Sequence, residues 1–191
     1  VTTRRAGRRT EILEAAAALF AERGFHGVSI DDLGAELGVS GPALYRYFES
    51  KDAILAEMLV DISERLLAGA QECIASGLSA RRTLQGLVEF HVTFALTEPN
   101  LIAVQFRDLG NVPEPSRRTV RRLQREYIAA WVDVTVRVYP STSRDRASAA
   151  AQAVFGLLNS TPHSGILGAD EMERLLRKMA AAALAEGCRS E

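Results

Sequence analysis

Tyr45, Arg46, Tyr47, Phe48 and Lys51 stand almost side by side, just after Ser40-Gly41-Pro42-Ala43. Guanidinium and ammonium groups bind phosphate oxygens, an arginine fork also fits a guanine edge, and tyrosine adds a hydroxyl donor to a flat apolar ring. On a helix, Leu44 and Phe48 are four apart and turn inward. Pro42, Ala43, Arg46 and Tyr47 then share the opposite face, where arginine and tyrosine suit contact with phosphates and base edges. Solvated charges and tyrosines with their rings laid on the core explain any one of these residues. They explain the constellation less well. Lys51 adds a further sign, because a cation opening a helix opposes the macrodipole, a small cost that a DNA phosphate would offset.

Other chemistries find little support. His26, His91 and His163 have no metal-ligand spacing, no glycine-rich phosphate loop occurs, and no nucleophile motif appears. Cys73 and Cys188 are far apart and read as free thiols in a reducing compartment. No catalytic residue, metal or cofactor is therefore expected, and the chain is expected not to be an enzyme. With 191 residues, 47% apolar and 25% charged, the composition is that of a soluble globular protein. The net charge of −1 supplies no global attraction for nucleic acid, so a basic footprint has to be local. Arg4, Arg5, Arg8 and Arg9 form the one cluster near a terminus. No apolar run is long enough for a bilayer and no hydrophobic segment follows the basic start, which points to the cytoplasm.

The elements that position these residues read as helices throughout, in an all-α chain of about nine helices. Ile12, Leu13, Ala16, Leu19 and Phe20 mark one face of a first helix, stopped at Gly24. Ser29 caps a second, with Asp32 completing a capping box and Val28 stapled to Leu33. Gly38 ends it. Ser40 caps a third, stapled from Val39 to Leu44, and Pro42 is tolerated in its first turn. Ser50 caps a long fourth helix from Lys51 to Ala75. Helices then follow from Ser79 to Pro99, through Ile102 and Phe106 to Arg107, through Val120 to Val138, from Ser143 to Leu158, and from Ala169 to Glu186. Two helices joined by a tight turn, the second short and aromatic-basic, make a helix-turn-helix.

From Ile12 to Leu55 the chain reads ILEAAAALFAERGFHGVSIDDLGAELGVSGPALYRYFESKDAIL. It resembles the TetR (tetracycline-repressor) family of bacterial transcription regulators. The likeness is carried by the Phe20…Gly24-Phe25 end of the first helix, the Gly38-Val39-Ser40 turn, Leu44-Tyr45, Phe48 and Ser50-Lys51. It implies a three-helix DNA-binding domain over residues 1–50 and a helical ligand-binding and dimerisation domain over 51–191. It also implies phosphate contacts from Ser29, Ser40, Tyr45, Tyr47 and Lys51, with Arg4 and Arg5 in a flexible arm laid on the DNA. Ser29 replaces the usual threonine, Leu33 an isoleucine and Tyr47 a frequent histidine. Gly34 for alanine loosens the second helix by up to ~1 kcal/mol. Gly41 and Pro42 are small or apolar where a base-reading side chain could stand. Base discrimination then falls on Arg46, with Pro42 and Ala43 available to thymine methyls.

Family members dimerise through their last two long helices. Here Ala147, Ala150, Ala151, Val154 and Leu158 give a small-residue face on one, and Leu175, Leu176, Met179 and Ala183 a face on the other. An intramolecular core explains the same pattern. Phe90, His91, Phe94, Phe106, Tyr127, Trp131 and Phe155, with Asn159, Thr161 and His163 at the end of an apolar helix, are candidates for an effector pocket. Aromatics at helical spacing also simply make a core. Arg117, Arg118, Arg121, Arg122 and Arg125 form a basic face that reads first as solvated and second as an anion site. The expected function is a repressor that binds a palindromic operator as a homodimer and is released by a largely hydrophobic molecule, an uncharged one or an acyl-coenzyme A or fatty acid. The alternative is a helix-turn-helix regulator whose C-terminal domain binds a protein.

Overall fold

The computed structural model describes residues 2–160 and 166–189, with side chains from residue 6 onward. Among the described residues it contains α-helices and 3-10 helices and no strand. The order is α1 (Thr2–Arg23), α2 (Ile30–Glu36), the 3-10 helix η1 (Gly41–Arg46), α3 (Lys51–Ala75), α4 (Ala80–Thr97), α5 (Pro99–Asp108), the 3-10 helix η2 (Leu109–Asn111), α6 (Glu114–Val138), α7 (Arg144–Leu158) and α8 (Ala169–Gly187). The chain divides into two compact units, residues 1–62 with 100–120 and residues 63–99 with 121–191.

In the first unit α1 ends where Gly24 takes a left-handed φ of +78°, and α2 ends at Gly38 with φ +66°. A side chain at either position would strain the backbone. The capping box at α2 is formed in full, with Asp32 N–H donating to Ser29 Oγ at 3.0 Å and Ser29 N–H to the Asp32 carboxylate at 2.7 Å. Ser50 Oγ likewise accepts from Ala53 N–H at 3.0 Å, starting α3. Of the inward residues read from sequence, Ile12, Ala16, Leu19, Phe20, Leu33, Leu44 and Phe48 are buried, and Leu13 is half-buried at the edge of its stripe. Phe20 and Phe25 meet edge to face at 5.4 Å.

The third helix departs from expectation. It is a 3-10 helix, with Ala43 N–H bonded to Ser40 O and Tyr47 N–H to Leu44 O, both at 2.9 Å. Pro42 lacks an N–H, and the element is only six residues long, so little stabilises an α-helical register. Ser40 occupies the N-cap position without a side-chain cap bond.

The contact division also differs from a break after residue 50. Residues 100–120 belong with the first unit because the end of α5 clamps the end of α1. Arg107 donates to Phe20 O and, at 3.2 Å, to Ala21 O, and it pairs with the buried Asp108 at 3.2 Å. Asn111 bonds Asp108 at 3.3 Å and His26 at 3.1 Å. A guanidinium on the carbonyl end of α1 satisfies both the open acceptors and the negative pole of the helix.

In the second unit α8 packs on α4 and α7. Ala147, Ala150, Ala151, Val154 and Leu158 of α7 and Met172, Leu176, Ala180 and Leu184 of α8 are buried within the chain.

Candidate nucleic-acid interface

The inward positions of η1 are as its spacing predicts, and the outward face differs in part, with Tyr45 open instead of Ala43 and Tyr47. Leu44 and Phe48 are buried, while Pro42, Tyr45 and Arg46 are exposed, and Ala43 and Tyr47 are half-buried. Tyr45 is 55% exposed, unusual for so large a ring. The exposed strip is thus Tyr45 and Arg46, with the half-buried Tyr47 beside them, on an element whose other side is anchored in the core. Gly41 departs from expectation. It is buried, and a Cβ there would approach Asp31 Cα to 3.1 Å. Its lack of a side chain serves the crossing of α2 and η1 and leaves no room for a base reader.

Two of the expected phosphate ligands are engaged elsewhere. Lys51 Nζ donates to Phe25 O at 2.8 Å and Val28 O at 2.7 Å, and lies 4.3 Å from the Phe25 ring centroid. Two of its three protons therefore hold the α1–α2 connection, which offsets the unfavourable end of α3 without any DNA. The single hydroxyl proton of Ser29 goes to Asp32, whose carboxyl the Ser29 hydroxyl and N–H hold below the usual carboxylate range. An anionic neighbour and a committed proton make Ser29 a poor phosphate donor. Ser40 is exposed and makes no cap bond. The side chains of Arg4 and Arg5 lie outside the described residues; their backbone is helical, since α1 begins at Thr2.

Sequence reasoning missed the cations that assemble this unit. Arg8 donates to Leu37 O at 3.1 Å, closing the C-terminal end of α2. Arg9 donates to Tyr47 O and to Glu57, and its guanidinium carbon sits 4.3 Å from the Phe48 ring centroid. A signal for Arg9 existed. It precedes Ile12 by three and Ala16 by seven, which puts it on the inward stripe of α1.

In the second unit the aromatic residues converge. His91, Phe94, Tyr127, Trp131 and Phe155 are linked by ring contacts at 4.9–6.2 Å. Tyr127 Oη and His91 Nδ1 are 2.8 Å apart, and His91 Nε2 is 3.0 Å from Asn159 Oδ1. Asn159 Oδ1 only accepts, so Nε2 carries the proton and Nδ1 accepts from the tyrosine hydroxyl. Burial pulls the His91 pKa down to about 4, against a smaller upward pull from Asn159, and burial raises that of Tyr127. Trp131 is fully buried.

Phe90 is half-buried on α4 with its ring against Gly69 of α3. Phe106 does not join the group: it lies on α5 in the first unit and is 70% exposed. Thr161 and His163 lie outside the described residues. Among the described residues of the second unit lie two open grooves. One, of about 420 Å3, is lined by Arg125, Ile128, Val132, Arg144, Ser148 and Gln152. The other, of about 380 Å3, lies among Arg81, Val88, Tyr139, Arg177, Lys178 and Ala181. Neither is lined by the aromatic group. Of the basic face, Arg117 and Arg118 pair with Glu114, and Arg122 with Glu126.

The dimer residues also divide. Ala147, Ala150, Ala151, Val154, Leu158 and Leu176 are internal core, because α7 and α8 bury them within the chain. Leu175 and Met179 are 40% and 43% exposed, and Ala183 is half-buried. The unburied face of α7 carries Ala149, Ala153 and Gly156, and Ala182 continues the open face of α8.

Residues 12–58 match the model of the bacterial regulatory proteins of the tetR family, and residues 77–185 match the tetracyclin repressor-like C-terminal domain. The chain belongs to the TetR family. It is 31% identical over 134 residues to the HTH-type transcriptional repressor KstR2 of Rhodococcus jostii, a match spanning 70% of this chain and 66% of that protein. A TetR-family regulator from Bordetella parapertussis superposes with TM-score 0.81 at 26% identity, covering 90% of this chain and 93% of that one. AibR in complex with isovaleryl coenzyme A and operator DNA shares the fold, with TM-score 0.76 at 13% identity, covering 90% and 97%. The chain spans 63–66% of the length of the KstR2 repressors it matches. Among its described residues no helix is long and apolar enough to cross a membrane, and no cluster of three or more His, Cys, Asp or Glu could hold a metal.

Proposed function

We propose that this chain is a transcriptional repressor that binds a two-fold-symmetric duplex site as a homodimer and releases it on binding a largely hydrophobic small molecule. The observation that carries the reading is the exposed Tyr45 and Arg46, with the half-buried Tyr47 beside them, on an element whose Leu44 and Phe48 are buried. Arg46 reads a guanine edge, Pro42 and Ala43 meet thymine methyls, and Tyr45, Tyr47 and Ser40 bind phosphates, with Arg4 and Arg5 on the flanking backbone. Lys51 and Ser29 hold the reader in place. The homodimer forms through the open faces of α7 and α8, Ala149, Ala153 and Gly156 with Leu175, Met179 and Ala182, where small residues permit close approach. Repression is supported by the likeness to a KstR2 repressor.

An aromatic interior with one neutral polar chain favours an apolar effector over a charged one, whose desolvation would go uncompensated. Isovaleryl coenzyme A, held by AibR, is apolar only in its acyl part and carries phosphates, so this class ranks below an uncharged hydrophobic effector. The effector has to bind the DNA-incompetent state more tightly than the competent one. The close mutual packing of the rings favours a second reading, in which this unit recognises a protein.

Selection from a random duplex library tests the DNA reading. The recovered sites should carry inverted half-sites about one helical turn (~34 Å) apart, or somewhat more. Arg46→Ala should cost ~1–3 kcal/mol and relax preference at one position of each half-site. Recovery of no preferred duplex would overturn it. Fatty acids and acyl-coenzyme A thioesters titrated into the protein–duplex complex test the effector. If none releases the duplex, the protein-binding reading replaces it.

A further inference from the structure

Arg9 ties α1 to α3 and to the end of η1. From α1, its Nε donates to Glu57 Oε1 on α3 at 3.2 Å, one terminal nitrogen donates to Glu57 Oε2, and the other donates to the carbonyl of Tyr47. The guanidinium lies over the Phe48 ring, 4.3 Å from its centroid. Both charged side chains are only about a third open, at 33% for Arg9 and 39% for Glu57. A planar fork held bidentately by a carboxylate presents no net positive charge to a phosphate, and its direction is fixed by the pair.

Tyr47 is the C-cap residue of η1, so its carbonyl belongs to the end of a helix too short to satisfy it. The other end of η1 is pinned where Gly41 lies against Gly34 of α2. Between these two holds stand Tyr45 and Arg46, whose direction relative to the core is therefore set by the pair. We infer that Arg9, oriented by Glu57, is the positioning residue that fixes the recognition helix and so determines sequence specificity, rather than a phosphate contact of the N-terminal arm. This rests on η1 being the DNA reader.

The test uses the full chain with Arg9→Met, Glu57→Gln, their double variant and Arg9→Lys. Amide hydrogen exchange without DNA should speed up about tenfold over residues 41–50 in Arg9→Met and Glu57→Gln, with Arg9→Lys between them and the wild type. On a duplex recovered by selection, both single variants should lose about tenfold in specific affinity. Binding to a scrambled duplex and the salt slope should stay unchanged, and the double variant should be no worse than Arg9→Met. Unchanged exchange over 41–50 in both single variants overturns the inference, with or without DNA. So does a phosphate-type result, in which Arg9→Met weakens every duplex equally and flattens the salt slope by ~1 while Glu57→Gln tightens binding. If the wild type selects no duplex, the DNA-reading role falls with the proposed function, and the exchange data still decide whether Arg9 holds η1.

Discussion

A Cβ on Gly34 would lie 2.6 Å from the backbone nitrogen of Gly41 and 2.8 Å from Val39 O. By helix propensity alone, alanine at 34 stabilises α2 by up to ~1 kcal/mol. The obstacle here is backbone, which cannot swing aside like the end of a side chain, and overpacking costs ~1–3 kcal/mol. The second effect wins. Gly34→Ala should lower the thermal midpoint and weaken binding to a selected duplex. A raised midpoint would show that α2 and η1 do not approach this closely.

Arg107→Met should destabilise the protein by ~2–4 kcal/mol, because it opens the carbonyl end of α1 and leaves Asp108 buried beside only Asn111. Adding Asp108→Asn removes the uncompensated charge. The double variant should therefore unfold at higher denaturant than Arg107→Met alone, and equal midpoints would argue against the pair.

His91 supplies a pH dependence with a definite sign. Its pKa is depressed from 6.5 to about 4 by burial, so the unfolded chain takes up the proton first. The stability this group contributes is complete above pH 6.5 and falls as the pH drops toward 4, by ~1.4 kcal/mol per unit at most. His91→Gln should flatten the curve of stability against pH within that window. An unchanged slope would mean that the imidazole is not buried in its neutral form.

Association and folding should separate on α7 and α8. Leu175→Arg and Met179→Glu alter exposed positions and should convert a dimer to a monomer in sedimentation with the thermal midpoint of the dissociated chain little changed. Ala150→Leu instead forces volume into a core where Gly187 already leaves only 3.1 Å between an added Cβ and the Ala150 methyl. It should lower the midpoint by ~1–3 kcal/mol of stability. A dimer that survives both surface charges places the interface elsewhere.

Local chemistry was enough for much of this protein. Glycines at 24 and 38, the Ser29–Asp32 box and the inward positions of Ile12, Leu33, Leu44 and Phe48 follow from backbone sterics, capping and helical period, all of which act within a few residues. The outward direction of Arg46 follows from the same period, whereas that of Tyr45 comes with the 3-10 winding of η1. What local rules do not carry is where a long cationic side chain ends. Lys51, Arg8, Arg9 and Arg107 each reach backbone carbonyls 23 to 87 residues away in sequence, so a charge that reads as a phosphate ligand is a carbonyl cap. Periodicity likewise marks apolar faces on α7 and α8 without saying which of them meets the chain's own neighbours. Only tertiary packing decides that Ala150 and Val154 are covered while Leu175 and Met179 stay open, because burial depends on which helices come together and not on the pattern of any one.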